Sequence, residues 1–210
     1  MSIADLRQKY ERNVLLESQL APDPMAQFSN WFEEARQGEI LEPNAMIVST
    51  VSAEGKPSSR TVLLKGFDQE GLVFFTSYES NKGKDLSGNP NISALFCWLP
   101  LQRQVHINGH VVKLSEEAST EYFNNRPEDS RIGAWASIQS QPITRAELES
   151  REQHFKEKFG SHIPKPPYWG GYLIIPETIE FWQGRPSRLH DRIKYSKDNN
   201  GNWTFTRLSP

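Results

Sequence analysis

The sequence predicts a mainly β protein: an antiparallel barrel with accessory helices. Three observations carry this. Short β-branched and aromatic runs, separated by turn dipeptides, fill residues 45–114. The longer helical patterns fall at residues 24–38 and in an insertion over 115–159. Strand patterns then return over 172–208 and close the chain.

Taken in order, residues 2–13 read as a short helix with Leu6, Tyr10 and Val14 on one side, and residues 1–20 as an N-terminal arm. Asp23-Pro24 supplies an N-cap and a first-turn proline. Phe28, Trp31, Phe32 and Ala35 follow at helical spacing, and Gly38 ends the helix. Ala45–Ser52 is a strand, Glu54-Gly55 a turn, and Ser58–Phe67 the next strand. Leu72–Ser77, Ile92–Trp98 and Gln104–Leu114 continue the sheet, with a short polar helix over Asn81–Gly88. Ser115 caps a helix to about Asn125, and Asp129–Ser137 is another. The capping box Thr144…Glu147 opens a surface helix running to Phe159. Pro164, Pro166 and Pro167 mark a linker. Tyr172–Ile175, Thr178–Trp182, Leu189–Tyr195 and Trp203–Leu208 are strands, with Asn200-Gly201 a hairpin turn.

At 210 residues with 36% hydrophobic and 11% aromatic content, the chain suits one globular domain over 21–210. A net charge of −2 excludes the basic balance that nucleic-acid and membrane-surface binding require, so any anion site is a local cluster of cations. The single Cys97 excludes an internal disulfide and reads as a buried, inert thiol in a reducing compartment. With no signal-peptide pattern and no apolar run near the ~20 residues of a membrane span, the expected location is the cytoplasm. His106 and His110 stand too far apart on one strand to share a metal.

Four clusters hold the candidate chemistry. Arg60-Thr61-Val62-Leu63-Leu64-Lys65 places a cation at each end of an apolar strand. Period two sends Arg60 and Lys65 to opposite faces, to serve two different anions. Ser80-Asn81-Lys82-Gly83-Lys84 sets an ammonium at a helix start, which suits phosphate. Tyr122, Arg126 and Ser130 fall at helical spacing and offer a phenol, a guanidinium fork and a hydroxyl. In Ser187-Arg188-Leu189-His190-Asp191-Arg192, an extended chain puts Arg188, His190 and Arg192 on one face, three potential cations awaiting an anion or an electron-rich ring.

At these clusters the chain resembles the pyridoxamine/pyridoxine 5′-phosphate oxidases, the FMN enzymes of vitamin B6 metabolism. The similarity lies in the Arg60–Lys65 run, Arg103-Gln104-Val105, Tyr122-Phe123 with Arg126-Pro127, and Ile132-Gly133-Ala134-Trp135. It continues in Gln139-Ser140, Trp169-Gly170-Gly171, Glu180–Gly184, Arg188–Arg192 and the closing Arg207-Leu208-Ser209-Pro210. The resemblance implies an FMN-binding split barrel, with a C-terminal dimerisation and substrate segment over 168–210. It also implies a homodimer with FMN at the subunit interface. By that resemblance FMN meets Arg60, Thr61, Val62, Leu63, Leu64, Lys65, Phe75, Thr76, Lys82, Gln104, Gln139, Ser140, Trp182 and Arg192. The substrate phosphate meets Lys65, Tyr122, Arg126 and Ser130. Arg188 and His190 lie over the reacting carbon, and Arg7 to Tyr10 match an arm that closes over the substrate. Two positions depart from the family pattern. Asn81 stands where Arg is common beside the phosphate-binding Lys, and Glu42 where Asp occurs. The residues alone also fit a nicotinamide-driven split-barrel reductase or a non-catalytic flavin or pyridoxal-phosphate binder.

Overall fold

The computed structural model describes residues 2–6, 8–38 and 40–210. Arg7, one of the expected substrate contacts, lies outside the described residues. Helix α1 (Pro24–Gln37) starts at Asp23, whose side chain accepts from Ala26 N–H, and ends at Gly38. The strands are β1 (Ala45–Val51), β2 (Pro57–Leu63), β3 (Gly66–Phe67), β4 (Leu72–Ser77), β5 (Asn91–Trp98), β6 (Arg103–Lys113), β7 (Trp169–Gln183), β8 (Asp191–Lys197) and β9 (Trp203–Leu208). Helices α2 (Asn81–Gly88), α3 (Glu116–Asn124), α4 (Glu128–Ala136) and α5 (Arg145–Phe159) complete it. All strand pairs are antiparallel, in the order β2-β1-β5-β6-β7-β4-β3, with β8 and β9 added beside β7.

The expected Ser58–Phe67 strand is two strands that share a corner. Leu64 N–H still donates to Asn44 O on the β1 side, but Lys65 N–H donates to Val73 O of β4 at 2.8 Å. The chain changes neighbours there and brings the two ends of the sheet together. Conversely, the two strands expected around Pro176 are one. Asn108 pairs with Thr178 and Gly109 with Pro176, so Glu177 is an extra residue in a bulge. Proline lacks a ladder donor and is tolerated at a bulge. On its other edge β7 pairs with β4 up to Ile174 and with β8 from Thr178, so one strand serves two neighbours.

The barrel core is aromatic. Phe28 is fully buried, with its ring 5.0 Å from Phe67 and 5.1 Å from Phe96, and Trp31 meets Phe181 edge-on at 5.2 Å. Alternation along β5 sends Phe96 and Trp98 inward and leaves Cys97 exposed, correcting the buried thiol expected from its apolar neighbours. A second cluster, Phe123, Ile132, Ile163 and Trp169, joins the inserted helices to β7.

Arg103 ties α1 to the barrel. It is buried, donates from Nε to Gln183 Oε1 at 2.8 Å and from Nη1 to Glu34 Oε2 at 2.6 Å, and lies 4.3 Å over the Trp31 ring. Arg103→Met leaves the fully buried Gln183 short of a partner. It should lower unfolding free energy by about 2–3 kcal/mol in denaturant melts. A change below about 0.5 kcal/mol would show that this junction is not structural.

The expected N-terminal helix is a single 3-10 turn, Ile3–Asp5. From residue 8 the arm lies along the barrel as irregular chain with a second 3-10 turn at Glu17–Gln19. Gln102 accepts from Arg12 N–H and donates to Lys9 O, Arg12 donates to Pro100 O at 2.7 Å, and Leu15 N–H donates to Asp191 at 3.0 Å. Arg207, three residues before Pro210, donates to both Glu17 oxygens, to Leu15 O and to Asp191. Too little apolar surface is available for a free helix of this length, and docking of the backbone takes its place.

Candidate functional site

The principal cavity, about 790 Å³, opens where β2, β4, α2 and α4 converge. Its walls bring together Arg60, Thr61, Val62, Leu63, Lys65, Phe75, Thr76, Lys82, Gln139 and Ser140 with Tyr122, Arg126 and Ser130. Leu64, expected beside them, is buried in the core. Four lining residues are cationic and none is acidic, which neither composition nor net charge foretold. Arg60 and Lys65 border this one cavity and do not serve two opposite faces. The neighbour switch at Leu64–Lys65 breaks the alternation on which that expectation stood.

Near α2, the Lys82 ammonium is buried. It donates to Thr76 Oγ1 (3.1 Å), Ser80 Oγ (3.3 Å) and Gln139 Oε1 (3.0 Å). All three acceptors are neutral. Burial first, and the Arg60 charge second, bring its pKa down from 10.5 to about 8. Ser80 caps α2 by accepting from Gly83 N–H. Gly83 is required there, because a Cβ would come within 2.2 Å of Tyr78 O. Asn81 offers no cation but donates its N–H to Ser140 Oγ at 3.2 Å, linking the helix start to the Gln139-Ser140 loop.

Farther along, α3 and α4 are separate helices, as expected, with the break at Asn125–Pro127, so Tyr122, Arg126 and Ser130 do not share one continuous helix. Tyr122 and Ser130 nevertheless meet Arg126 at the same wall. Phe75 and Tyr122 stack at 3.8 Å, and Phe75 and Trp169 at 5.4 Å, with rings within 11° of parallel. The Arg126 guanidinium lies 4.7 Å over Trp169, and burial pushes its pKa below the ordinary guanidinium value. Three buried side-chain atoms among the described residues lack a partner: Arg126 Nη1, Arg131 Nε and Tyr172 OH. Only the first belongs to this cavity. An unpartnered guanidinium N–H beside a phenol and a hydroxyl fits a phosphate.

Other expected residues lie elsewhere. Gln104, Trp182 and Arg192 line a second cavity of about 570 Å³ with Ile47, Leu95 and Pro210. Arg192 is not a free cation, since Nε and Nη2 donate to Glu180 at 2.7 and 3.1 Å. Arg188, His190 and Arg192 do not share a strand face either. Pro186–Arg188 is a 3-10 turn, with Ser187 (φ 57°) and Arg188 (φ 63°) left-handed, and β8 begins only at Asp191. Tyr10, Trp182 and His190 form an aromatic cluster, with His190 4.6 Å from Trp182 and 5.9 Å from Tyr10. Gly184 seats Tyr10, because a Cβ there would come within 2.9 Å of its ring. Glu42 is exposed and lines neither cavity. Ser58, Ser77, Ser137 and Trp169 line the first cavity and were not among the expected site residues; Asn81, which the sequence set beside Lys82, lines it as well. Trp169 had a signal in the Trp-Gly-Gly run, which the glycines alone do not explain.

Lys82 makes anion binding measurable without turnover. Folded, its pKa near 8 lies below the ordinary 10.5, so above pH 8 much of the ligand-free protein carries it neutral. A phosphate beside it favours the ammonium. Binding of inorganic phosphate at pH 8.5 should therefore draw a fraction of a proton from solvent. Calorimetry in two buffers of different ionisation enthalpy should show it, and Lys82→Met should abolish it. Equal heats in both buffers with the parent protein would refute the shift.

The fold and this cavity define a split β-barrel protein of the class in which FMN-binding proteins occur. A family model described as "Pyridoxamine 5'-phosphate oxidase" matches residues 32–158, and one for the "Pyridoxine 5'-phosphate oxidase C-terminal dimerisation region" matches 169–210. The pyridoxine/pyridoxamine 5′-phosphate oxidase of Bordetella pertussis is 58% identical over the whole of both chains. Among solved structures, PhzG from Burkholderia lata, in complex with tetrahydrophenazine-1-carboxylic acid, superposes with TM-score 0.88 at 29% identity, covering 94% of this chain and 98% of its own. An FMN binding protein from Nostoc punctiforme, related to pyridoxamine 5′-phosphate oxidase, gives 0.73 at 17% identity, covering 91% and 100%, and shows the shared fold. The chain belongs to the pyridoxamine 5′-phosphate oxidase family. No helix among the described residues is long and apolar enough to cross a membrane, and no group of three or more His, Cys, Asp or Glu among them could hold a metal.

Proposed function

We propose that the protein oxidises pyridoxamine 5′-phosphate and pyridoxine 5′-phosphate to pyridoxal 5′-phosphate, with FMN as cofactor and molecular oxygen as acceptor. The observation that carries this reading is the cavity with four cations and no carboxylate, large enough for two phosphate-bearing ligands. Arg60, Lys82 and the start of α2 hold the cofactor phosphate, with Thr76, Gln139 and Ser140 around it. Arg126, Tyr122, Ser130 and Lys65 hold the substrate phosphate. When bound, FMN supplies a hydride acceptor for the substrate's exocyclic carbon and a route for the electrons to oxygen. The amine substrate, oxygen and water give aldehyde, ammonia and hydrogen peroxide; the alcohol and oxygen give aldehyde and peroxide.

The residues' part is orientation. Fixing a small rigid ring by its phosphate presents the far end in one pose, and such positioning supplies up to about 7–11 kcal/mol of barrier reduction in ideal cases. Gln104, Trp182 and Arg192 stand at a separate cavity within one chain. A homodimer that sets this second cavity of one copy against the first cavity of the other would assemble the whole set, and the dimerisation region over 169–210 supports it. Arg188, His190 and Tyr10 would then cover the substrate.

The test is direct. Purified protein incubated with FMN should turn yellow and elute at twice 24.1 kDa. It should also form aldehyde and peroxide in equal amounts from pyridoxamine 5′-phosphate. A colourless protein, or a yellow one that releases no peroxide, would overturn the reading.

A further inference from the structure

We propose that Asp85, acting through the buried hydroxyl of Thr50, is a positioning residue for Arg60 and sets how tightly the cavity holds a phosphate-bearing cofactor. The inference rests on the assignment of Arg60 to the cofactor phosphate.

Three elements build the relay. Pairing of β1 with β2 sets Val48 opposite Arg60 and Thr50 opposite Ser58, so Thr50 lies diagonally across from Arg60. Helix α2, the element that carries Lys82, brings Asp85 against β1. Thr50 is fully buried, and its hydroxyl lies 2.6 Å from Asp85 Oδ2 and 2.8 Å from Arg60 Nη1.

The direction of both bonds is fixed by chemistry. A carboxylate only accepts, so Thr50 donates its one proton to Asp85. Its oxygen then accepts from Arg60, which has no acceptor of its own. The chain runs Arg60 to Thr50 to Asp85, and each link is charge-assisted at one end. A β-branched threonine on a strand has little rotamer freedom, so the hydroxyl stays where Arg60 needs it.

Withdrawing the carboxylate by one side chain has a purpose. Asp85 is not among the cavity-lining residues. Were it paired directly with Arg60, it would occupy the guanidinium fork and compete with the ligand phosphate. Set behind Thr50, it still supports the cation: burial, the larger influence, lowers the Arg60 pKa, and the Asp85 charge opposes it. Arg60 donates to Val48 O, Thr50 and Ser58 through Nη1 and Nη2 only. Nε–H and the second Nη2–H remain for a ligand.

The test uses the full-length protein and FMN titrations followed by flavin fluorescence, together with KM for pyridoxamine 5′-phosphate. Thr50→Val, which keeps shape and removes the hydroxyl, should weaken FMN binding by about tenfold. Asp85→Asn should do the same, and Thr50→Ser should restore affinity to within about threefold of the parent. The Thr50→Val/Asp85→Asn double variant should bind about as weakly as the worse single variant, because both act through one chain of bonds. KM should stay within twofold in all four, since Arg126 is untouched. Thr50→Val and Asp85→Asn both within twofold of the parent for FMN would overturn the inference. Should Thr50→Val fail to fold, Asp85→Asn decides alone. A parent protein that binds no FMN would instead overturn the assignment of the cavity, and the relay's role with it.

Discussion

Replacing Arg126 with methionine is expected to cut kcat/KM for pyridoxamine 5′-phosphate by roughly 30- to 1,000-fold while leaving the ligand-free protein at least nearly as stable. The two effects have one origin. Arg126 is a cation taken partly out of water with no carboxylate beside it. Its Nη1 is buried and finds no acceptor, and burial presses on its pKa. An orphaned buried donor costs about 1–3 kcal/mol. The contact over Trp169 returns about 0.5–2 kcal/mol. Methionine keeps the apolar contact with Phe123 and Trp169 and removes the orphan, so these terms nearly cancel. A phosphate that fills the fork makes the opposite case. A charge-assisted bidentate grip lost from a desolvated site costs about 2–4 kcal/mol, which gives the stated range in kcat/KM. FMN affinity should move less than threefold, since in the proposed function the cofactor phosphate is assigned to Arg60 and Lys82. Kinetics, FMN titration and a denaturant melt on one variant separate the outcomes. A loss of more than about 2 kcal/mol in stability with activity retained would show Arg126 to be structural.

The sign of that prediction comes from tertiary placement, and this marks what the sequence could show. Asp23-Pro24, the Thr144/Glu147 box and the Asn200-Gly201 turn are local devices, and each was legible because its cause lies within four residues. The failures are long-range. Nothing near Lys65 announces that its N–H will leave β1 for Val73, and with that switch the two-faced strand became one wall of one cavity. Pro176 reads as a break until Gly109 is known to stand opposite in a bulge. The triple-cation face dissolved for the same reason. Glu180, which neutralises Arg192, arrives from the neighbouring strand, and the left-handed Ser187 and Arg188 carry no glycine to announce them. What the residues did reveal was the inventory of anion-binding groups. Which of them share a cavity, and that no acid joins them, only the fold decides.

Arg188→Leu should lower turnover by about 100-fold or more and, in the residual activity, move the acid limb of the pH profile upward. His190 explains the second part. Its Nδ1 accepts from Arg185 N–H at 3.1 Å, and a backbone N–H only donates, so Nδ1 carries no proton. The ring is therefore the neutral tautomer with its proton on Nε2, and protonating Nδ1 would break this bond. Burial first, then the Arg188 charge, lower its pKa, with Asp191 opposing them. The sign follows. A histidine with a depressed pKa is neutral above that value and gains its charge only as pH falls through it. Rate should be flat with respect to this group from pH 7 to 8 and should fall on the acid side, below 6.5. Leucine at 188 removes the second of the two lowering influences, so the half-maximal pH on that limb rises toward the ordinary histidine value. The larger drop in rate has a separate cause. Arg188 is exposed, left-handed and without an acceptor among the described residues; in the proposed role it orients the substrate, and losing such a contact is costly out of proportion to its bond strength. Lysine at 188 keeps the charge but not the fork. It should leave the acid limb where the parent has it while still losing much of the rate. If leucine and lysine shift the limb equally, Arg188 does not govern His190 through its charge. If Arg188→Leu turns over within twofold of the parent, it does not orient the substrate.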